Sequence, residues 1–242
     1  MASPMTAERA GKPAEQLTFD LDRAPSLARR DFLESESNAA ALRLVEAWPD
    51  WPHPVAAIIG PPGSGKSHLG RIWAARTGAK TLIPGDPLVR GTLILEYELS
   101  GKVLTPEAET ALFHALNRAA AGEGDILILS GDPPARWPVA LPDLKTRLAA
   151  VPVTRLDVPD TPLMGGVLLK LFIDRQLRIA PEVVPFLAAR LERSLARAGE
   201  AVEALDRAAL AAKRPVTVAF AAKVLGLRRD AMGEGGAGNE DE

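Results

Sequence analysis

The 242-residue chain contains no cysteine, which excludes disulfides and thiolate metal sites alike. No apolar run approaches the roughly 20 residues needed to span a bilayer. The start, Met1 to Lys12, lacks the apolar core of a signal peptide. These absences lead us to expect a reducing cytoplasm and no membrane partner. Charge of one sign is also missing: 29 Lys and Arg against 31 Asp and Glu leave a net charge of −2. That balance gives no electrostatic case for holding nucleic acid over a wide surface, although a local basic patch remains open. His53, His68 and His114 stand alone, without metal-ligand spacing, and read as surface or packing residues. There is no internal repeat. The length and the 47% of apolar residues suffice for a full core in one or two domains.

What is present is organised around Gly60-Pro61-Pro62-Gly63-Ser64-Gly65-Lys66-Ser67, which fits G-x-x-x-x-G-K-[ST] at every fixed position. Before it, Val55 to Ile59 reads as a buried strand. After it, Leu69, Ile72 and Trp73 fall at helical spacing, and Gly78 marks the helix end. Strand, glycine-rich turn and helix form the context the motif requires. Glycines let the backbone wrap a phosphate chain, with amides aimed inward at a helix N-terminus. Lys66 would neutralise the outer phosphates, and the Ser67 hydroxyl would hold Mg2+. The pattern predicts a site for ADP or ATP.

The rest of the chain divides around this motif. Residues 1–30 read as a flexible tail, and Gln16-Leu17-Thr18-Phe19-Asp20-Leu21 within it alternates apolar and polar groups. Leu17, Phe19 and Leu21 would share one side of an extended segment, with the Gln16 amide at its head. By pattern alone, a strand on the domain's own core and a free peptide docking elsewhere are both open. Its strand-like edge would also allow pairing with a second copy, a homo-oligomer. Residues 31–159 read as an α/β domain. A helix over 39–48, capped by Ser37 or Asn38, precedes strands at Val55–Ile59, Lys80–Ile83, Thr92–Leu95, Asp125–Ser130 and Val151–Leu156. Between them lie the phosphate-loop helix, a helix over 106–121 and a short one over 143–148. Such alternation predicts a parallel sheet with flanking helices. From 160 to 228 the pattern is helical only: 161–177, 181–191, 194–213 and 217–225, with Gly226 closing the last. Residues 229–242 are acidic and glycine-rich and read as a disordered tail.

A phosphate-loop sheet followed by a small helical lid resembles the AAA+ ATPases. Leu141-Pro142-Asp143-Leu144-Lys145-Thr146-Arg147-Leu148 resembles the arginine-finger segment of the replication initiator DnaA and its relatives. Asp174-Arg175-Gln176-Leu177 together with Leu205-Asp206-Arg207-Ala208 resembles the lid of the Hda family, the DnaA-homologous regulators, including the form HdaA. That family also carries an N-terminal peptide of the type Gln-Leu-x-Leu/Phe-x-Leu, which docks on the sliding clamp, the β subunit of DNA polymerase III. Gln16, Leu17, Phe19 and Leu21 stand in those places. The resemblance implies that Arg147 acts in trans on a neighbour's nucleotide, where its planar fork suits a γ-phosphate. It also implies a nucleotide-sensing arginine in the lid, Arg193 or Arg197. The two are four residues apart and would share one helix face, with Arg193 favoured.

One departure stands out. Where AAA+ ATPases usually place two consecutive acids after the strand, this chain has Glu96-Tyr97-Glu98. Glu96 takes the metal side, Tyr97 replaces the water-activating carboxylate, and Glu98 should point away from Tyr97 if the strand continues. Ser130, before Gly131, stands where a polar sensor contacts the γ-phosphate. Turnover by the chain's own site is therefore not expected. The resemblance implies a regulator that works in an ADP-bound form, promotes hydrolysis on DnaA and reaches DNA only through the clamp. Two other readings compete: an autonomous ATPase that remodels or loads nucleic acid, and a DnaA-like fragment that binds DNA itself.

Overall fold

The computed structural model describes residues 29–83, 91–97 and 103–228. Five short parallel strands carry the first part of it: β1 (Val55–Ile59), β2 (Lys80–Thr81), β3 (Leu93–Tyr97), β4 (Ile126–Ser130) and β5 (Val153–Arg155). Their spatial order is β2-β3-β4-β1-β5. The two central strands, VAAII and ILILS, are buried at every position, as continuous apolar runs covered on both faces must be.

Four helices supply that cover. Helices α1 (Ala39–Glu46) and α2 (Lys66–Thr77) lie on one face, where Leu42, Val45, Leu69 and Trp73 meet Ile58, Ile94 and Leu127. On the other face, α3 (Pro106–Ala120) and α4 (Pro142–Ala149) set Leu112, Leu116, Leu144 and Leu148 against Ala57, Leu95 and Ile128. The two clusters alternate along each strand, the period-2 signature of a sheet buried on both sides.

Helices α5 (Thr161–Asp174), α6 (Val183–Arg190), α7 (Leu195–Ala212) and α8 (Val218–Leu225) build a cluster of their own. Its centre is Leu168, Phe172, Val183, Leu187, Val202 and Leu205. Side-chain caps start three of these helices: Asp160, Ser194 and Thr217 accept from the amides of Leu163, Arg197 and Phe220. Gly226, with φ +65°, closes α8 as the sequence predicts.

Several expectations are trimmed. The first helix ends at Glu46, and Asn38 stands at its N-cap without a side-chain cap bond. The Asn38 amide folds back instead, accepting from Ser35 N at 2.9 Å and donating to Leu33 O at 2.8 Å. The second strand stops at Thr81. Helix α5 ends at Asp174 rather than Leu177, because Gln176 turns left-handed at φ +56°. The Gln16–Leu21 peptide, Glu98 and the 229–242 segment lie outside the described residues.

Candidate functional site

The phosphate loop joins β1 to α2 at the carboxyl ends of the central strands, where open α/β sheets bind ligands. Gly60 must be glycine, since a Cβ there would fall 2.3 Å from the Leu156 carbonyl oxygen. Gly65 has φ +107° and opens α2 as its N-cap, so the following amides face into the loop. Lys66 is 7% exposed, and its Nζ donates to the carbonyls of Gly60 at 2.7 Å and Pro61 at 3.1 Å. The ammonium thus sits over the loop's concave side. Ser64 Oγ is buried without a hydrogen-bond partner among the described residues. Pro61 and Pro62 form the exposed outer turn.

The lid rests directly on this loop. Leu195 N donates to Gly63 O at 2.8 Å, and a Cβ on Gly63 would meet Ser194 Oγ at 1.9 Å. Gly63 also has φ +70°, so alanine there is strained twice. We expect Gly63→Ala to cost about 1–3 kcal/mol and to push the start of α7 off the loop. Faster amide exchange at Leu195, measured alongside a denaturant midpoint, checks this.

Across the loop, Ser67 Oγ donates to Glu96 Oε2 at 3.2 Å. The two residues expected to hold a metal are therefore neighbours, and Glu96 is the one exposed position of β3. Tyr97 lies on the opposite face of the sheet. Its ring is 9% exposed and packs 4.5 Å from Trp137, centroid to centroid. Burial, then the Glu109 charge, pushes its phenol above the ordinary value, so it stays protonated at neutral pH. Position 97 thus belongs to the core. We expect Tyr97→Glu to bury a carboxylate beside Glu109, cost on the order of 3 kcal/mol, and create no turnover. Urea unfolding and phosphate release by the variant alone check both halves.

Ser130 is fully buried, and its Oγ donates to Asp132 O at 2.8 Å while accepting from Asp132 N at 3.2 Å. Its own carbonyl receives Gly60 N at 3.1 Å. It therefore ties the strand end to the phosphate loop, with its hydroxyl turned into the following bend. Arg193 and Arg197 do not share a helix face: Arg193 precedes the Ser194 cap, whereas Arg197 is in the first turn of α7. Arg197 pairs with Glu200 and lies 3.8 Å from Glu192.

Arg147 is exposed near the end of α4, its guanidinium 5.5 Å from the centre of the Phe113 ring. No carboxylate pairs with it among the described residues, so the surface salt bridge that such a residue often forms is absent there. Within the lid, Arg175 lies 3.9 Å from Asp206, which joins the two stretches that carried the lid resemblance.

A family model described as "Hda, lid domain" matches residues 172–225. Residues 172–225 are thus an Hda-type lid, joined to a sheet with the AAA+ fold. An uncharacterised protein from Haemophilus influenzae is 29% identical over 194 residues, covering 74% of this chain and 84% of its own. Domain III of the Thermotoga maritima replication initiation protein DnaA superposes with a TM-score of 0.69 at 17% identity, covering 84% of this chain and 97% of that one. AMPPCP-bound DnaA from Aquifex aeolicus gives a TM-score of 0.58 at 16% identity, covering 74% and 65%.

Two features of the site leave little mark in the sequence. Glu109 is 4% exposed and accepts from the backbone amides of Ala140 and Leu141, both at 2.8 Å. It anchors the start of the helix that carries Arg147. The only signal was an acid on an apolar helix face. The other is the seat of Ser194 and Leu195 on Gly63, a contact between distant segments that carries no local signature.

Proposed function

We propose that this protein is a nucleotide-bound AAA+ adaptor, tethered to the sliding clamp, that stimulates hydrolysis of ATP held by DnaA. It would thereby restrain initiation of DNA replication. The observation that carries this reading is the contrast between its two functional ends. Arg147 is exposed and without a carboxylate partner among the described residues, on a helix braced by Glu109, as a finger acting in trans requires. The position that would activate water in the chain's own site is a tyrosine packed into the core.

The loop fits a nucleotide. Gly60, Pro61, Pro62, Gly63, Ser64 and Gly65 would wrap the phosphates, and Lys66 would exchange its carbonyl partners for phosphate oxygens. Ser67 and Glu96 present neighbouring oxygens suited to Mg2+. The ion would neutralise phosphate charge. Ser130 sets the loop against β4, and Arg197 or Arg193 would report the nucleotide to the lid. With ADP or ATP so held, the site acts as a latch that fixes the lid.

Gln16, Leu17, Phe19 and Leu21 supply the clamp tether in this reading, and DNA is reached only through the clamp. The test is phosphate release in a mixture of DnaA, clamp-loaded DNA and this protein, each omitted in turn. Release only with all three present supports the adaptor. Release by this protein alone would replace it with an autonomous ATPase. Deleting residues 16–21 should abolish clamp binding and spare nucleotide binding. Normal clamp capture by that variant would remove the tether from the proposal.

A further inference from the structure

The lid carries a second concave site, far from the phosphate loop. It is a cavity of about 460 Å³ lined by Arg175, Arg178, Lys213 and Arg214, with Asp206 and the rim residue Leu210. It forms where α5 and α7 end and α8 begins. The two chain segments entering it are tied together: Val216 N donates to Arg178 O and Ala180 N to Val216 O, both at 2.9 Å. Arg178 and Arg214 are thereby held on adjoining backbones. Arg214 is steadied further, 4.4 Å over the Phe220 ring.

The charge here is in excess. Four cations face a single carboxylate, and Asp206 reaches Arg175 only at 3.9 Å. The C-termini of α5 and α7 contribute roughly half a negative charge each. About two positive charges therefore remain uncompensated in a chain whose overall charge is −2. Lys213 occupies the left-handed C-cap of α7 at φ +48°. Leu210 at the rim is 79% exposed, an apolar contact beside the cations.

We propose that this cavity binds the chain's own acidic stretch, residues 230–242, as an intramolecular ligand. That stretch carries Asp230, Glu234, Glu240, Asp241 and Glu242. Its carboxylates match guanidinium forks, which take such groups bidentately. Reach is sufficient. The described residues end at Arg228, beyond the Leu225 end of α8, and its carbonyl receives Arg190 Nε at 3.2 Å. The cavity lies at the other end of α8, whose length is about 12 Å, and residues 226–228 add at most about 10 Å. About seven extended residues cover that distance, at about 3.3 Å each, which brings Glu240, Asp241 and Glu242 within reach. A short tether also keeps the local concentration of ligand near the millimolar range.

Because the chain has no cysteine, Gly238→Cys accepts a single nitroxide in the 242-residue chain. Amide signals of Leu210, Lys213 and Val216 should lose intensity at low salt. They should recover in about 1 M salt, where the screening length is about 3 Å. They should also recover when Glu234, Glu240, Asp241 and Glu242 are changed to Gln and Asn, which leaves the lid untouched. Arg178→Glu with Lys213→Glu should do the same. Unchanged intensity in the labelled protein, or a loss that survives neutralising the acids, overturns the proposal. A loss that fades on dilution assigns the site to a second copy, and displacement by a short DNA duplex but not by a glutamate-rich peptide assigns it to nucleic acid. Either result also overturns it.

Discussion

Replacing Arg147 with alanine is expected to lower the stimulated rate of phosphate release from DnaA by about 10^3- to 10^5-fold, the range of fingers supplied in trans elsewhere. Nucleotide binding by this protein and clamp capture should be unchanged. The side chain is exposed and its main partner is the Phe113 face, so alanine removes a surface cation–π contact of about 0.5–1 kcal/mol and little else from the fold. Arg147→Lys tests the mechanism more closely. It keeps the charge but loses the planar fork, so most of the defect should remain. Single-turnover hydrolysis on DnaA, measured with saturating clamp, reads both variants. Stimulation at the wild-type level by Arg147→Ala would remove the finger assignment and leave the nucleotide site standing.

Glu109→Ala should produce the second large effect, this time on stability. The carboxylate is buried and accepts two backbone amides, one on each oxygen. Without it, both donors are left in the interior, at a cost of about 3 kcal/mol. For a chain of this length that corresponds to a fall of about 6–12 °C in Tm. Glu109→Gln keeps one carbonyl oxygen as acceptor and should lose roughly half as much. Both should also weaken stimulation of DnaA, because Glu109 and Phe113, one turn apart on α3, support the start and the arginine of α4. Calorimetry and the hydrolysis assay on the same samples separate the two consequences. A stability loss without any loss of stimulation would show that α4 keeps its aim without the anchor.

Much of this arrangement was legible in the residue order. The phosphate loop carries its own flanks, and the apolar runs of β1 and β4 announce a sheet covered on both sides. The alternation through Glu96 and Tyr97 places them on opposite faces, but Trp137, which makes Tyr97 a core residue, is distant in sequence. Arg193 and Arg197 look like helical neighbours by spacing, and only the cap at Ser194 separates them. Glu109 was hidden for the same reason. Periodicity tells which face a residue takes, not that two free amides wait there.

The hydrogen bond that seats the lid on the phosphate loop runs from the amide of Leu195 to a glycine carbonyl. A bond between main-chain atoms carries no side chain for substitution to remove. Exchanging Leu195 for any residue but proline keeps the donor, so this tie outlasts changes in the side chains packed around it. What the loop holds and where the lid stands are thereby linked through the backbone itself.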